Sequence, residues 1–240
     1  MRATMKPTAA STPAACALAC MTACMLAYGG VAHAQDAKAG DRNAGAMKAQ
    51  LCIGCHNIPG YQASFPEVYK VPKIAGQNAK YIVAALAEYR KGDRKFPTMR
   101  AVAASLNDQD MADVAAFYST LGQGGKESEV PATAEGTPSP VVAKLLAQAN
   151  CASCHGANFN APIDPSYPKL AGQYADYLYA ALKAYQTDKN PHVGRNNAIM
   201  MGMARPFTHV ELKELSAYFA GLPGDLKTVP ESRFRGGAQF

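Results

Sequence analysis

One five-residue pattern, C-x-x-C-H, occurs twice in the 240-residue chain and constrains its architecture more than any other feature. The first copy runs from Cys52 to His56 and the second from Cys151 to His155. Two thiols separated by about one helical turn point to the same side of a helix, and the histidine follows directly. In each copy, local structure alone therefore holds three reactive side chains close together.

The residues that follow each pattern are also repeated, in the same order. The segment Pro-Lys-Ile-Ala-Gly-Gln at 72–77 recurs as Pro-Lys-Leu-Ala-Gly-Gln at 168–173. The segment that begins at Tyr81 recurs from Tyr177 with Ala, Leu and a second Tyr at matching places. A fixed order of matching segments indicates the direct duplication of one module.

The sequence divides into two domains. Residues 122–138 are rich in Gly, Pro, Ser, Thr and Glu and lack an apolar period, which is typical of a linker. This predicts a first domain at 36–121, a second at 139–223 and a polar, irregular tail at 224–240. Apolar residues recur at helical spacing and strand signals are nearly absent, so both domains are predicted to be all-α. Because a domain of this size has a marginal core, we expect another group to fill its interior.

The last helix of each domain has an N-terminal signal. Thr208 with Glu211 matches the capping-box pattern, and Asn107 with Asp110 is a weaker equivalent. Met47 lies on the first predicted helix and is expected to be a core residue.

Residues 1–34 have the features of an export signal. Arg2 and Lys6 precede a mostly apolar stretch, and Ala32-His33-Ala34 offers small residues for cleavage before Gln35. The sequence therefore predicts a periplasmic protein, free in that compartment or associated with the inner-membrane surface.

Two other uses of this N-terminus stay open. One is an uncleaved membrane anchor, because the apolar stretch approaches spanning length. The other is a lipoprotein attached at Cys20 or Cys24, although neither follows a good lipobox. The formal charge of +6 falls by two once the signal is removed, and no Lys/Arg block of the kind that tracks phosphates is present. Composition therefore gives no support to nucleic-acid binding.

C-x-x-C-H is the pattern of c-type haem attachment. The two thiols can each add to a vinyl group of one haem, and the adjacent imidazole can then reach the iron. The expected attachment residues are Cys52, Cys55 and His56 for the first haem, and Cys151, Cys154 and His155 for the second. The sequence thus predicts two covalently attached haem c groups.

Two other readings of paired cysteines fit less well. A redox-active dithiol usually lies near a βαβ pattern, which is missing here. A zinc ribbon usually has its cysteine pairs about 15–20 residues apart, whereas roughly a hundred residues separate these pairs. Neither alternative requires a histidine after the second cysteine in both copies.

A methionine is the expected sixth ligand, because haem electron carriers commonly bind a thioether that favours the ferrous state. Met99 precedes the last helix of the first domain by the same spacing as Met200 in the second. We therefore expect Met99 and Met200 to be the distal ligands, each in a loop. Met201 and Met203 are close rivals of Met200.

Two repeated features beside the motifs allow more than one role. The carbonyl groups of Pro72 and Pro168 could accept the N–H of the iron-binding imidazole, or these prolines could simply form turns. Gly76-Gln77 and Gly172-Gln173 either allow close packing of a helix on haem or start the next helix.

With these motifs, the repeated Pro-Lys-x-Ala-Gly-Gln-x-x-x-Tyr segments and the two methionines in place, the chain resembles the cytochrome c4 family. The resemblance covers the whole mature chain. It implies two tandem class I cytochrome c domains, all-α, each wrapped around one covalent haem and related by a pseudo-twofold axis. It also implies electron transport in a respiratory chain, from a cytochrome bc complex toward a terminal oxidase.

A histidine and a methionine together fill both axial positions of the iron. A closed site of this kind has no vacancy for a substrate, so we expect a single-electron carrier and not an enzyme. A di-haem peroxidase would need an open site, which the equivalent methionines argue against. The haem-carrying subunit of a dehydrogenase, such as a flavoprotein sulfide dehydrogenase, would share the same haem chemistry and stays open.

Overall fold

A computed structural model describes residues 39–124, 130–133 and 136–231. Within these ranges the chain forms ten helices and one hairpin of two short strands. The helices found there are all too short or too polar to cross a membrane. The predicted export signal at 1–34 and its cleavage point lie outside the described residues.

The first domain contains five helices and the hairpin. The helices are α1 (Arg42–Lys48), α2 (Gln50–His56), α3 (Ala79–Lys91), α4 (Pro97–Ala104) and α5 (Asp108–Thr120). The strands β1 (Gln62–Ala63) and β2 (Tyr69–Lys70) pair antiparallel between α2 and α3. No strand was expected here, since two-residue strands are too short to show an alternating pattern.

The second domain repeats the order of helices. They are α6 (Pro140–Ala149), α7 (Ala152–His155), α8 (Ala175–Gln186), α9 (Ala198–Ala204) and α10 (His209–Gly221). The described residues of this domain contain no β-strand. The predicted all-α class is therefore confirmed for both copies, apart from the small hairpin of the first.

Both predicted capping boxes are present. The Asn107 side chain accepts from the Asp110 N–H at 2.8 Å at the start of α5, and the Asp110 carboxylate accepts from the Asn107 N–H at 3.0 Å. Thr208 and Glu211 make the equivalent reciprocal pair at the start of α10. Each pair satisfies backbone donors that a helix N-terminus leaves without an intrahelical partner.

Each domain has its own apolar core. The first is built around the fully buried Tyr118 and Met111, with small alanines from α4 and α5. The second is built around aromatic and leucine side chains from α8 and α10. The expectation for Met47 is wrong, because its side chain is 72% exposed on the outer face of α1.

In the first domain, the helix that precedes the haem motif crosses the last helix at close range. A Cβ atom on Gly45 of α1 would lie 1.9 Å from the carbonyl oxygen of Asp113 in α5. Only glycine allows the two backbones to approach so closely. This crossing places α2, with its cysteines, over the core.

The two domains are joined by a reciprocal pair of glutamines. The side-chain amide of Gln77 makes two hydrogen bonds with the backbone of Lys169. It donates to the Lys169 carbonyl at 3.1 Å and accepts from the Lys169 N–H at 3.0 Å. The Gln173 amide makes the same two bonds with the backbone of Lys73, at 2.9 and 3.0 Å. The repeated Gly-Gln segments therefore serve the seam between the domains, a role that neither sequence interpretation anticipated.

The segment after the second domain returns to the first. Lys227 forms an isolated antiparallel β-bridge with Ala75, in which the Lys227 backbone N–H donates to the Ala75 carbonyl at 3.0 Å. Val229 packs against the first core, and the hydroxyl groups of Thr228 and Tyr174 lie 3.1 Å apart. The described part of the predicted irregular tail, residues 224–231, has no helix or β-strand, but it makes specific contacts with both domains.

Candidate haem sites

The helices hold both cysteine motifs in the arrangement that their spacing predicts. Cys52, Cys55 and His56 lie together at the end of α2. In the second copy Cys151 is the N-cap of the short helix α7, which ends at His155. The four thiols are free, and none of them forms a disulfide.

The orientation of each motif histidine is set by a proline carbonyl. Nδ1 of His56 lies 2.9 Å from the Pro72 oxygen, and Nδ1 of His155 lies 3.0 Å from the Pro168 oxygen. A carbonyl oxygen can only accept, so Nδ1 carries the proton in both rings. This confirms the proposed role of the two carbonyls and leaves the Nε2 lone pair of each ring available to a metal.

The electrostatic surroundings suit neutral imidazoles and thiols. Burial lowers the pKa of both His56 and His155, and the bond to the proline carbonyl only partly offsets it. Burial, together with the neighbouring Cys55, raises the pKa of Cys52 to about 11. Burial likewise raises the pKa of Cys151. Redox-active dithiols require a lowered thiol pKa, so these shifts argue against that alternative.

Both motifs open into one cavity of about 700 Å³. Its walls include the cysteines and histidines of both motifs and, opposite them, apolar side chains of α3, α4, α8 and α9. A large apolar cavity beside thiols and available imidazoles is the surrounding that a covalently held porphyrin requires. The donor set and the cavity therefore fit haem at both sites.

The methionines lie on short helices and not in loops. Met99 is the third residue of α4 and Met200 the third residue of α9, and both line the cavity. Met203 also lines it, whereas Met201 does not. Met203 lies one helical turn after Met200, at the place that Val102 occupies after Met99. Met200 is therefore the counterpart of Met99, and Met201 is not part of the cavity wall.

The zinc alternative finds no support in the described residues. No group of three or more His, Cys, Asp or Glu side chains comes together there as a metal site. The two cysteine pairs belong to separate domains, each beside its own histidine.

Two arginines at the cavity wall were missed by the sequence analysis. The backbones of Arg94 and Arg195 form an isolated antiparallel β-bridge across the seam between the domains, and both residues line the cavity. A signal for them was present, since each arginine precedes its methionine, Met99 or Met200, by the same spacing.

Comparison with known proteins gives consistent results. The family model described as cytochrome c matches residues 42–122 and again residues 142–223. Cytochrome c4 of Stutzerimonas stutzeri is 30% identical over 204 residues, covering 80% of this chain and 92% of that relative. Cytochrome c4 of Azotobacter vinelandii is 28% identical over 220 residues, with the same coverage of 80% and 92%. A thiosulfate dehydrogenase electron acceptor of Stutzerimonas stutzeri is 31% identical over 196 residues, covering 76% and 82%.

Solved structures with a similar fold include two kinds of protein. Reduced recombinant cytochrome c4 from Pseudomonas stutzeri has a TM-score of 0.54 and 27% identity, covering 77% of this chain and 100% of that one. Thiosulfate dehydrogenase from Marichromatium purpuratum, in its as-isolated form, has a TM-score of 0.53 and 25% identity. That match covers 75% of this chain and 40% of the dehydrogenase chain.

Proposed function

Because this chain belongs to the cytochrome c4 family of di-haem c-type cytochromes, we propose that it carries single electrons in a periplasmic respiratory chain, from a cytochrome bc complex toward a terminal oxidase. Family membership makes it a di-haem electron carrier and not an enzyme. The choice of partners, the export of the chain and the assignment of its iron ligands are parts of the proposal.

The proposed ligands follow from the placement of side chains around the cavity. Cys52 and Cys55 would hold the first haem through thioethers and Cys151 and Cys154 the second, and the iron would be bound by His56 with Met99 and by His155 with Met200. The observation that carries this assignment is the matched geometry of the two sites. In each, an imidazole held by a proline carbonyl and a methionine on a short helix line the same cavity.

The residues of this chain keep both sites closed to substrates. When bound, each haem supplies an iron that alternates between the ferric and ferrous states. The carbonyls of Pro72 and Pro168 hold a proton on Nδ1, so Nε2 of each ring would be available to the iron. The methionine thioether would bind the same iron, and mostly apolar side chains line the cavity around it. The chain would thus supply the same two ligands in both oxidation states.

The first experiment is expression of the full chain together with a c-type maturation system. The mature product should carry the mass of two haems bound through thioethers. Its oxidised form should show the near-infrared sulfur-to-iron band, and its untreated ferrous form should not bind carbon monoxide. A product without attached haem would end the proposal, and carbon monoxide binding by the untreated protein would contradict the closed sites.

The second methionine is tested by paired substitutions. Met200→Ala should remove the sulfur-to-iron band of the second haem, about half of the total, and open that site to carbon monoxide. Met203→Ala is the matched control on the same helix face, and it should leave the band intact. The reverse result would make Met203 the ligand. Met99→Ala should have the same effect on the first haem.

A second set of partners is favoured by one observation. Relatives named as thiosulfate dehydrogenase electron acceptors match this chain at a level similar to the cytochromes c4. The chain would then accept electrons from a dehydrogenase, the alternative that its haem chemistry left open. Stopped-flow reduction separates the two. Faster reduction by thiosulfate dehydrogenase with thiosulfate than by a bc complex with quinol would favour the dehydrogenase as donor.

We also propose that residues 36–121 and 139–223 are the two haem-carrying domains, joined by 122–138, after removal of 1–34. The two family-model matches and the two separate cores support this division. Mild proteolysis of the holoprotein, followed by denaturation, should separate two fragments with one haem each. Deletion of residues 2–34 should leave the chain without haem in the cytoplasm, whereas unchanged haem content would contradict export.

A further inference from the structure

Each histidine of a haem motif is linked to the opposite domain through a single peptide group. In the second domain this is the peptide that joins Pro168 to Lys169. Its carbonyl accepts the Nδ1 proton of His155 at 3.0 Å. Its N–H donates to Oε1 of Gln77, a residue of the first domain, also at 3.0 Å. A continuous chain of hydrogen bonds therefore runs from the glutamine of one domain to the histidine of the other.

The same chain runs in the opposite direction. The carbonyl of the peptide between Pro72 and Lys73 accepts the Nδ1 proton of His56 at 2.9 Å. The N–H of that peptide donates to Oε1 of Gln173, a residue of the second domain, at 3.0 Å. The arrangement is thus crossed, because each domain supplies the glutamine that reaches the histidine of its neighbour.

The surrounding hydrogen bonds fix the orientation of each glutamine amide. Oε1 of Gln77 also accepts from the Asn78 N–H at 2.9 Å, and its Nε2 donates to the Lys169 carbonyl at 3.1 Å. Gln173 makes the equivalent two bonds at its own position. The two glutamines are only 3% and 4% exposed. Turning either amide over would place donor against donor and acceptor against acceptor, so the oxygen has to face the peptide N–H.

Hydrogen bonds at the two ends of one peptide group strengthen each other. An acceptor on the N–H shifts electron density toward the carbonyl oxygen, which then accepts the Nδ1 proton more strongly. A stronger bond at Nδ1 makes Nε2, the atom available to iron, a better electron donor. The glutamine also fixes the plane of the peptide and so the direction in which the imidazole is held.

We propose that Gln77 and Gln173 are positioning residues for the haem-binding histidines of the opposite domain, Gln77 for His155 and Gln173 for His56. This inference rests on the proposed function as a di-haem carrier, and it makes the seam between the domains a part of each iron site. Each histidine is then held by a proline carbonyl of its own domain and, through the same peptide, by a side chain of the other.

The test is Gln77→Met, which keeps the length of the side chain but removes the amide. In the oxidised holoprotein the haem methyl groups and the histidine Nδ1 protons give NMR signals for each site, and Met99→Ala identifies those of the first. The second-site signals should move, and the His155 Nδ1 proton should exchange with solvent roughly tenfold faster, because its acceptor is held less firmly. The first-site signals should keep their positions. Gln173→Met should give the reverse pattern.

A redox titration separates positioning of the histidine from simple support of the seam. In Gln77→Met the weaker donation by His155 should favour the ferrous state. At the wild-type midpoint, the ratio of ferrous to ferric second haem should rise roughly two- to fivefold, less than the about 10–100-fold effect of losing a direct outer-shell partner. If the glutamine only held the domains together, its loss would admit water, which favours the ferric state and lowers that ratio. A fall of the ratio would therefore overturn the proposal.

Gln123→Met is the matched control. The Gln123 amide also joins distant parts of the chain, since it donates to the Asp225 carbonyl at 3.1 Å, but it does not bind a peptide that a motif histidine uses. This variant should leave the signals of both sites in place. Movement of both sets in Gln77→Met, or movement of equal size in Gln123→Met, would contradict the crossed assignment.

Gln77→Glu carries the test if Gln77→Met does not yield holoprotein. It keeps the shape of the side chain and an oxygen beside the Lys169 N–H, and it replaces the amide nitrogen that donates to the Lys169 carbonyl. Its effect should again appear at the second site and not at the first. Two attached haems with unchanged second-site signals would refute this inference and leave the carrier function standing. A wild-type product without two haems would instead refute the function itself.

Discussion

The first domain joins its outer helices by close backbone contact, and the second joins them by side-chain packing. In the first, Gly45 of α1 lies against the Asp113 carbonyl of α5. In the second, Val142 and Leu145 of α6 lie in one apolar cluster with the leucines of α10. The same haem-binding pattern is therefore compatible with two ways of packing the first helix of a domain against the last.

The contact behind the haem motif differs in a related way. In the first domain the buried Tyr118 hydroxyl donates to Asn57 Oδ1 at 2.9 Å. In the second, Phe219 occupies the equivalent place, and its ring centre lies 4.8 Å from that of Phe159. A hydrogen bond and an aromatic contact thus support equivalent positions. The comparison indicates that the cofactor and its attachment are the constant part, while the protein support around them varies.

The largest effect is expected when the two cysteines that attach one haem are replaced. The pair Cys52→Ser and Cys55→Ser should abolish the first haem, and Cys151→Ser with Cys154→Ser should abolish the second, each halving the haem absorbance. The first variant should lose more stability, because four of the ten buried residues of its core are alanines, against one of ten in the second core. Haem absorbance per protein and thermal unfolding by circular dichroism measure both effects. Loss of both haems from either variant would show that the domains do not fold separately.

A smaller effect is expected at the close crossing of the first domain. Gly45→Ala should destabilise it by about 1–3 kcal/mol, because the new Cβ would meet the Asp113 carbonyl. Gly202→Ala on α9 is the control, since nothing lies within 4 Å of the Cβ it would add. That control should be neutral or stabilise by up to about 1 kcal/mol through helix propensity. Equal effects in denaturant unfolding would contradict the backbone contact.

The buried hydroxyl of the first domain should contribute somewhat less. Tyr118→Phe removes the partner of Asn57 and should lower the free energy of unfolding by about 1–2 kcal/mol. Tyr61→Phe, at a residue 43% exposed, should cost less than about 0.5 kcal/mol. A loss for Tyr118→Phe no larger than for Tyr61→Phe would mean that Tyr118 acts as the phenylalanine of the second domain does.

The smallest effect concerns acid stability. The Asp113 carboxylate accepts from Lys48, the Asp41 N–H and Gln109, and these hydrogen bonds, led by Lys48, lower its pKa to about 2. A carboxylate whose pKa is lowered by folding stabilises the protein above its unfolded pKa of about 4 and loses that contribution as the pH falls toward 2. The difference in unfolding free energy between wild type and Asp113→Asn should therefore be present at pH 6 and shrink below pH 4. A constant difference from pH 6 to pH 2 would contradict this.

Local patterns allowed much of the fold to be predicted. The capping boxes marked α5 and α10 correctly, because a cap depends on residues within one turn. The methionines were expected in loops but lie on α4 and α9, since helices of seven or eight residues leave little periodicity to detect. Met47 looked like a core residue because a helical pattern does not indicate which face packs inward.

By itself, the sequence determined the duplication, the helical class and the covalent chemistry of the two sites. Each of these depends on residues a few positions apart, such as Cys52, Cys55 and His56 on one helical turn. Only the tertiary structure decided that Gln77 and Gln173 bind the backbone of the opposite domain, that Met201 does not line the cavity, and that Arg94 and Arg195 meet across the seam between the domains. These features depend on which distant segments meet, and that is set by the packing of whole helices against one another.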